Sequence, residues 1–356
     1  MSGSVLAAFL TSVLVHTAAA AIAPLPANAL LAVRTQTNLT SVTLPVYIDV
    51  LDATNGSVLA SIELPTAVAG AQLRLTLRQS TVEGALTISG DGCAVVLAGY
   101  DAPPGVKAPQ LDTTITRSVL LLRANGTLDT RTGHLGIATL SGIPRSAAML
   151  PDATVIIAGD AGVMLPIAAG TVAPATATAT LLSSNVRSLA AKPPATLYYT
   201  SASQVIPMAP GAWLANPNGE PLNATLPGPG RQLGSATRAQ GPYGFAVVDS
   251  NTVVAADETL GLLVYRYDGS TWTTTQGPTD PEGADPWTGF SHATFDPSTG
   301  QVYVSTTWRS ASDRTTRIYV VAHDAQWSPA SLQLLLLTRS PAGFEYRGLA
   351  PTPRAC

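Results

Sequence analysis

One short pattern recurs along the chain and constrains its fold more than any other feature. The copies are Glu83-Gly84-Ala85-Leu86, Arg145-Ser146-Ala147-Ala148, Arg187-Ser188-Leu189-Ala190, Tyr243-Gly244-Phe245-Ala246, Ser291-His292-Ala293-Thr294 and Arg347-Gly348-Leu349-Ala350. Each has a polar or aromatic residue, usually then a small one, then an apolar run. Self-similarity at a spacing of tens of residues marks an architecture in which each unit buries its apolar face against the next.

From residue 30 onward there is almost no helical periodicity. Short β-type runs alternate with Gly, Pro, Asn and Asp turns, which predicts an all-β fold. Taking each copy as a first strand, every interval reads as four strands. The first has 85–89, 94–100, 116–123 and a weak fourth near 135–140, with turns at Gly90-Asp91-Gly92 and Asn125-Gly126. The second has 147–150, 154–158, 162–167 and 175–182, and the third 188–191, 196–200, 204–208 and 221–226. The fourth has 245–248, 252–256, 261–267 and 271–275, and the fifth 293–295, 301–306, 317–322 and 332–337. The sixth copy stands alone near the C-terminus. Its missing strands come from the start of the chain, at 30–34, 46–52 and 58–64. One terminus completing the other's sheet is how a β-propeller closes and hides its edge strands. The expected fold is therefore an all-β, six-bladed β-propeller, closed by pairing of the C-terminal strand with the N-terminal strands. It forms one domain over 30–356, in which 65–82 receives no strand assignment. The pattern resembles six-bladed propellers generally, and a group of uncharacterised secreted proteins of algae and bacteria. That resemblance implies a fold and a location, and no activity.

Composition narrows the partners. Hydrophobic residues make up 46% and charged residues 12% of the 356, so a large core is available. Lys and Arg number 19 against 22 acids, with no basic run, which excludes the electrostatic footprint of a nucleic-acid binder. Residues 5–23 are mostly apolar and read as a secretory leader within 1–29, with Ala-x-Ala sites ending at Ala20 or Ala29. No Lys or Arg precedes this run. An uncleaved anchor is the rival reading, since about 19 apolar residues just span a bilayer, and a membrane partner is expected only in that case. Sequons at Asn38, Asn55, Asn125 and Asn223 fit a secreted glycoprotein.

Two cysteines remain. Cys93 follows the first turn of the first blade, and Cys356 follows the lone sixth copy. In a closed ring these blades are neighbours, so a disulfide is predicted at the seam.

The long insertions 101–115, 228–242, 277–289 and 309–316 share the opposite face, where loops over a rigid scaffold usually carry the site. Two candidate sites follow. At the channel mouth, Glu83, Arg145, Arg187, Tyr243, Arg347 and the Ser291-His292 pair begin the inner strands and converge near the axis. Three arginines there suit an anion such as a carboxylate, sulfate, phosphate or acidic sugar. The alternative is that they pair with Glu83 and backbone carbonyls. On the rim, Trp287 and Trp308 with Asp285 and Asp313, and with Asp280 and Glu282 nearby, suit a carbohydrate or peptide platform. The alternative is that they pack the loops down.

Catalytic signatures are poor. Gly289-Phe290-Ser291-His292-Ala293 lacks the second glycine and the following helix of a nucleophile elbow. Alternation along a strand would point Ser291 and His292 to opposite faces. His134 and His323 are isolated, so neither a metal cluster nor a cofactor is expected. The expected function is a secreted or cell-surface binding module, monomeric, taking a carbohydrate, peptide or small anionic ligand. The alternatives are an extracellular hydrolase or lyase acting on a carbohydrate or ester at the channel mouth, and a structural wall component.

Overall fold

The structure is a computed structural model. It describes residues 22–37, 42–78, 82–135, 142–160, 162–164, 166–173, 180–182, 186–192, 196–201, 204–207, 242–249, 251–258, 260–267, 272–282, 289–306 and 315–356. The chain is an all-β propeller. Its sheets start at inner strands Leu86–Ile88, Pro144–Met149, Val186–Lys192, Pro242–Val247, Phe290–Asp296 and Phe344–Pro351. These strands touch one another in that order around the axis, and Phe344–Pro351 returns to touch Leu86–Ile88. Five sheets have at least four strands. The sheet begun by Val186–Lys192 has three described strands, and its expected fourth, 221–226, lies outside the described residues.

Both termini build one sheet. Phe344–Pro351 pairs antiparallel with Ala29–Gln36, from Leu30 opposite Pro351 to Gln36 opposite Phe344. Val46–Asp52 and Val58–Glu63 complete it. Cys93 and Cys356 form the predicted disulfide, with Cα atoms 5.8 Å apart across a sequence separation of 263.

The core is a series of apolar layers between neighbouring sheets. Leu31 and Val33 pack with Val95, Leu97 and Leu120 of the next sheet, while Leu30 and Ala32 pack with Tyr303 and Ile318 of the preceding one. Successive residues of one strand thus feed two different layers. That is why Ala29–Gln36 begins as a continuous apolar run instead of an alternating one.

Two expectations need correction or completion. The fourth strand of the first sheet is Leu128–His134, earlier than the 135–140 expected. Asn125-Gly126 reverses the chain at once, with Gly126 at φ 81°. The strand that follows, Leu128-Asp129-Thr130-Arg131-Thr132-Gly133-His134, is too polar to register as apolar. It is nonetheless mostly buried, its hydroxyls bonded to backbone as Thr130 is to the Leu73 carbonyl, and Val172–Ala173 covers its edge by parallel pairing to Gly133 and His134. The unassigned stretch 65–82 contributes Leu75 and Leu77, both fully buried. Leu77–Arg78 forms a two-residue ladder with Thr43–Leu44.

Candidate functional site

A shared irregularity explains the recurring sequence pattern. The inner-strand ladders shift register at Pro144/Ser146, Val186/Ser188, Pro242/Gly244 and Phe290/His292. The terminal sheet shifts between Ala32 and Arg34, opposite Arg347-Gly348. An inserted residue bends its strand and re-aims its side chain. The inserted positions are Arg145, Arg187, Tyr243, Ser291 and Arg347. The small residue that follows lies against the neighbouring blade. A Cβ on Gly348 would fall 2.0 Å from the Gly84 carbonyl oxygen, and one on Gly244 2.7 Å from the His292 Cα. Ser146 Oγ accepts a bond from Leu189 N at 3.1 Å. The motif is therefore a bulge followed by a point of close contact between blades.

The bulge residues and Glu83 do converge as a polar ring at one end of the channel, and they arrive with partners. Glu83 is fully buried and takes bonds from Arg78 N at 2.7 Å, Arg78 Nε at 3.2 Å and Tyr100 Oη at 3.3 Å. Burial pushes its carboxyl up to about 7 against the pull of Arg78 and Arg347. Arg347 bonds Glu345 at 2.6 Å and the Arg78 carbonyl at 2.7 Å. Arg187 lies 3.9 Å over the Tyr243 ring. Tyr243 in turn bonds Glu258, whose carboxyl burial raises to about 7 while Arg187 opposes the shift. Desolvation lowers Arg145, with Asp160 offsetting and Arg187 adding to the effect. The acids Glu83, Glu345, Asp160 and Glu258 are thus interleaved with the arginines, so the ring is a mixed-charge network.

Ser291 and His292 depart from expectation. The bulge at Phe290/His292 interrupts strand alternation, and His292 Nδ1 lies 3.1 Å from Ser291 Oγ. His292 is 7% exposed, and burial and Arg347 hold its ring well below its ordinary value, at about 3. It is a neutral imidazole at physiological pH.

A large concavity among the described residues lies on the opposite side of this ring, on the disulfide face. It has a volume of about 870 Å³. Its walls are the small and apolar residues that follow the bulges, including Ser188, Ala190, Ala246, Thr294, Phe295 and Leu349. Both ends of the described chain rim its mouth, through Pro24, Leu25, Ala27, Asn28 and 351–355. Leu25 N donates to the Ala124 carbonyl at 2.7 Å and Thr352 Oγ1 to the Ala29 carbonyl at 2.8 Å, fixing both rims. The nearby acids are already engaged in turns. Asp91 accepts from Cys93 N at 2.9 Å, and Asp296 from Ser298 N at 2.8 Å. His292 belongs both to the cavity wall and to the bulge motif that carries the polar ring, so it marks where the two meet.

No family model matches the chain, and no curated protein matches it. Among solved structures, the chain is similar to a gluconolactonase, XC5397 from Xanthomonas campestris, at 12% identity and TM-score 0.43, covering 90% of this chain and 87% of that one. It is also similar to U3-55K, at 11% identity and TM-score 0.39 over 89% and 86%. A third similar structure is the RRP9 WD40 repeats, at 10% identity and TM-score 0.38 over 93% and 86%.

The rim candidates Asp285, Trp287, Trp308 and Asp313 lie outside the described residues, as do Asn38 and Asn223. The acids beside them are structural. Asp280 accepts from Tyr319 Oη at 2.7 Å, and Glu282 accepts from Arg317 and Arg339, each at 2.7 Å. Asn55 and Asn125 are exposed in turns. Among the described residues no three His, Cys, Asp or Glu side chains assemble as a metal site. The cavity went unread in the sequence because it is built from small residues inside apolar runs, not from a chemical motif.

Proposed function

We propose that this chain is a secreted or surface-held six-bladed β-propeller that binds one small, largely apolar molecule in its central cavity. The observation that carries this reading is the cavity itself. At about 870 Å³ it is within the usual size of ligand sites, and its lining mixes apolar walls with a few hydroxyls. The closed circuit of inner strands supports the count of six. The disulfide is compatible with an oxidising compartment, where the Asn55 and Asn125 sequons would be available for glycosylation.

Titration calorimetry with naphthalene tests it. One molecule should bind per chain. Ala190→Trp and Thr294→Trp, which fill the cavity from two walls, should each weaken binding at least tenfold while thermal unfolding stays cooperative. Unchanged binding in both variants would remove the cavity as the site.

A second reading, an extracellular hydrolase or lyase, is favoured by Glu258. Its carboxyl is raised to about 7, hydrogen-bonded to Tyr243 and close to Arg187. That reading expects turnover of nitrophenyl esters or glycosides that disappears in Glu258→Gln.

A further inference from the structure

We propose that His292 Nε2 is a hydrogen-bond acceptor at the floor of the central cavity, so that the preferred ligand is an uncharged apolar molecule carrying a hydroxyl donor. This rests on the cavity reading above and names the chemistry that the cavity selects.

Ser291 fixes the tautomer of His292. Its hydroxyl lies 3.3 Å from the Ser305 carbonyl oxygen, 3.3 Å from Ser305 Oγ and 3.1 Å from His292 Nδ1. A hydroxyl has one proton to give and two lone pairs to accept with. The carbonyl can only accept, so the Ser291 proton goes there. Ser291 Oγ then accepts from Ser305 Oγ–H and from Nδ1–H of His292. This is the one assignment in which all three contacts are hydrogen bonds. It places the imidazole proton on Nδ1 and leaves Nε2 a bare lone pair.

The second observation is that no described protein group bonds Nε2. Among the described residues nothing bonds it, yet His292 is more than nine-tenths buried and lines the cavity. The atom is not one of the sealed, unbonded polar atoms of the interior, and the residue that carries it lines the cavity. A buried acceptor without a donor is unfavourable until a ligand supplies one. Arg347 nearby and the surrounding burial keep the ring neutral, so the lone pair persists at physiological pH. A site built to bond a ligand hydroxyl also rejects the analogue that lacks it, because its own polar group is then left unpaired.

Three ligands of one shape decide the matter by calorimetry at pH 7: naphthalene, 2-naphthol and 2-methoxynaphthalene. The native chain should bind 2-naphthol at least tenfold more tightly than 2-methoxynaphthalene, which carries an oxygen but no donor. His292→Phe should bind all three within about twofold of one another. If naphthalene binds and the naphthol preference is absent, the acceptor role of His292 is overturned while the cavity stands. A preference retained in His292→Phe overturns it equally. If naphthalene does not bind, the cavity reading fails and this inference with it. The native-chain comparison needs no variant to fold.

Discussion

Gly348 meets Gly84 across the seam where the ring closes, so closely that a Cβ on residue 348 would sit 2.0 Å from the Gly84 carbonyl oxygen and 2.6 Å from Leu86 N. Both obstructing atoms are backbone and cannot swing aside. Gly348→Ala should therefore destabilise the fold by about 3 kcal/mol or more, as overpacking at a rigid contact does. Denaturant unfolding measures this, and a loss below about 1 kcal/mol would mean that the seam is looser than described.

The disulfide acts at the same seam. Cys93 and Cys356 tie the first sheet to the terminal one across a sequence separation of 263. Replacing both by Ser should cost roughly 2–4 kcal/mol, chiefly by freeing the unfolded chain. The circular dichroism spectrum should not change, because the pairing of Ala29–Gln36 with Phe344–Pro351 survives. Two thiols reacting with a blocking reagent in the unreduced native protein would contradict the bond.

Glu83 gives a pH dependence with a definite sign. Its carboxyl titrates at about 7 in the folded protein against 4.5 as its ordinary value. Between those values the folded state holds more protons than the unfolded state, so stability falls as pH rises from about 4.5 to 7. Glu258 adds a fall in the same window. Glu83→Gln should remove its own share, on the order of 3 kcal/mol over the window. Unfolding free energies at several pH values would show the slope; an identical slope in the variant would place the Glu83 titration elsewhere.

The extent to which the sequence disclosed this protein follows from physical scale. The ring was legible because the bulge motif repeats, and each copy must be polar, then small, then apolar to turn a strand and meet the next blade. The disulfide was legible because closure places the first sheet beside the one that the two ends of the chain build. The outer strand Leu128–His134 was not, since the residues it buries are mostly polar, such as Thr130, Thr132 and His134, and leave no apolar signature. The Ser291–His292 contact was hidden by the bulge, which cancels the alternation expected of neighbours. The cavity was hidden because the small residues that line it, such as Ala190 and Ala246, belong to the repeat that builds the ring and carry no chemical signature of a site.

The N-terminal strap predicts where a leader would be cut. Ile22 and Leu25 pack on the layer around Leu31 and Val95, and Leu25 N bonds the Ala124 carbonyl. Ala29 exchanges bonds with Thr352, at 3.1 Å and 3.0 Å. Cleavage after Ala29 would strip all of these contacts, so cleavage after Ala20 is expected. N-terminal sequencing of secreted material should begin at Ala21; a start at Leu30 would show that the strap is dispensable.

A crystal structure of the native chain soaked with 6-bromo-2-naphthol tests ligand binding in the cavity at atomic detail. The anomalous bromine peak should lie inside the cavity, between the walls that carry Ala190 and Thr294, with the hydroxyl oxygen within hydrogen-bond distance of His292 Nε2. Bromine found only on the outer surface of the ring would contradict the account.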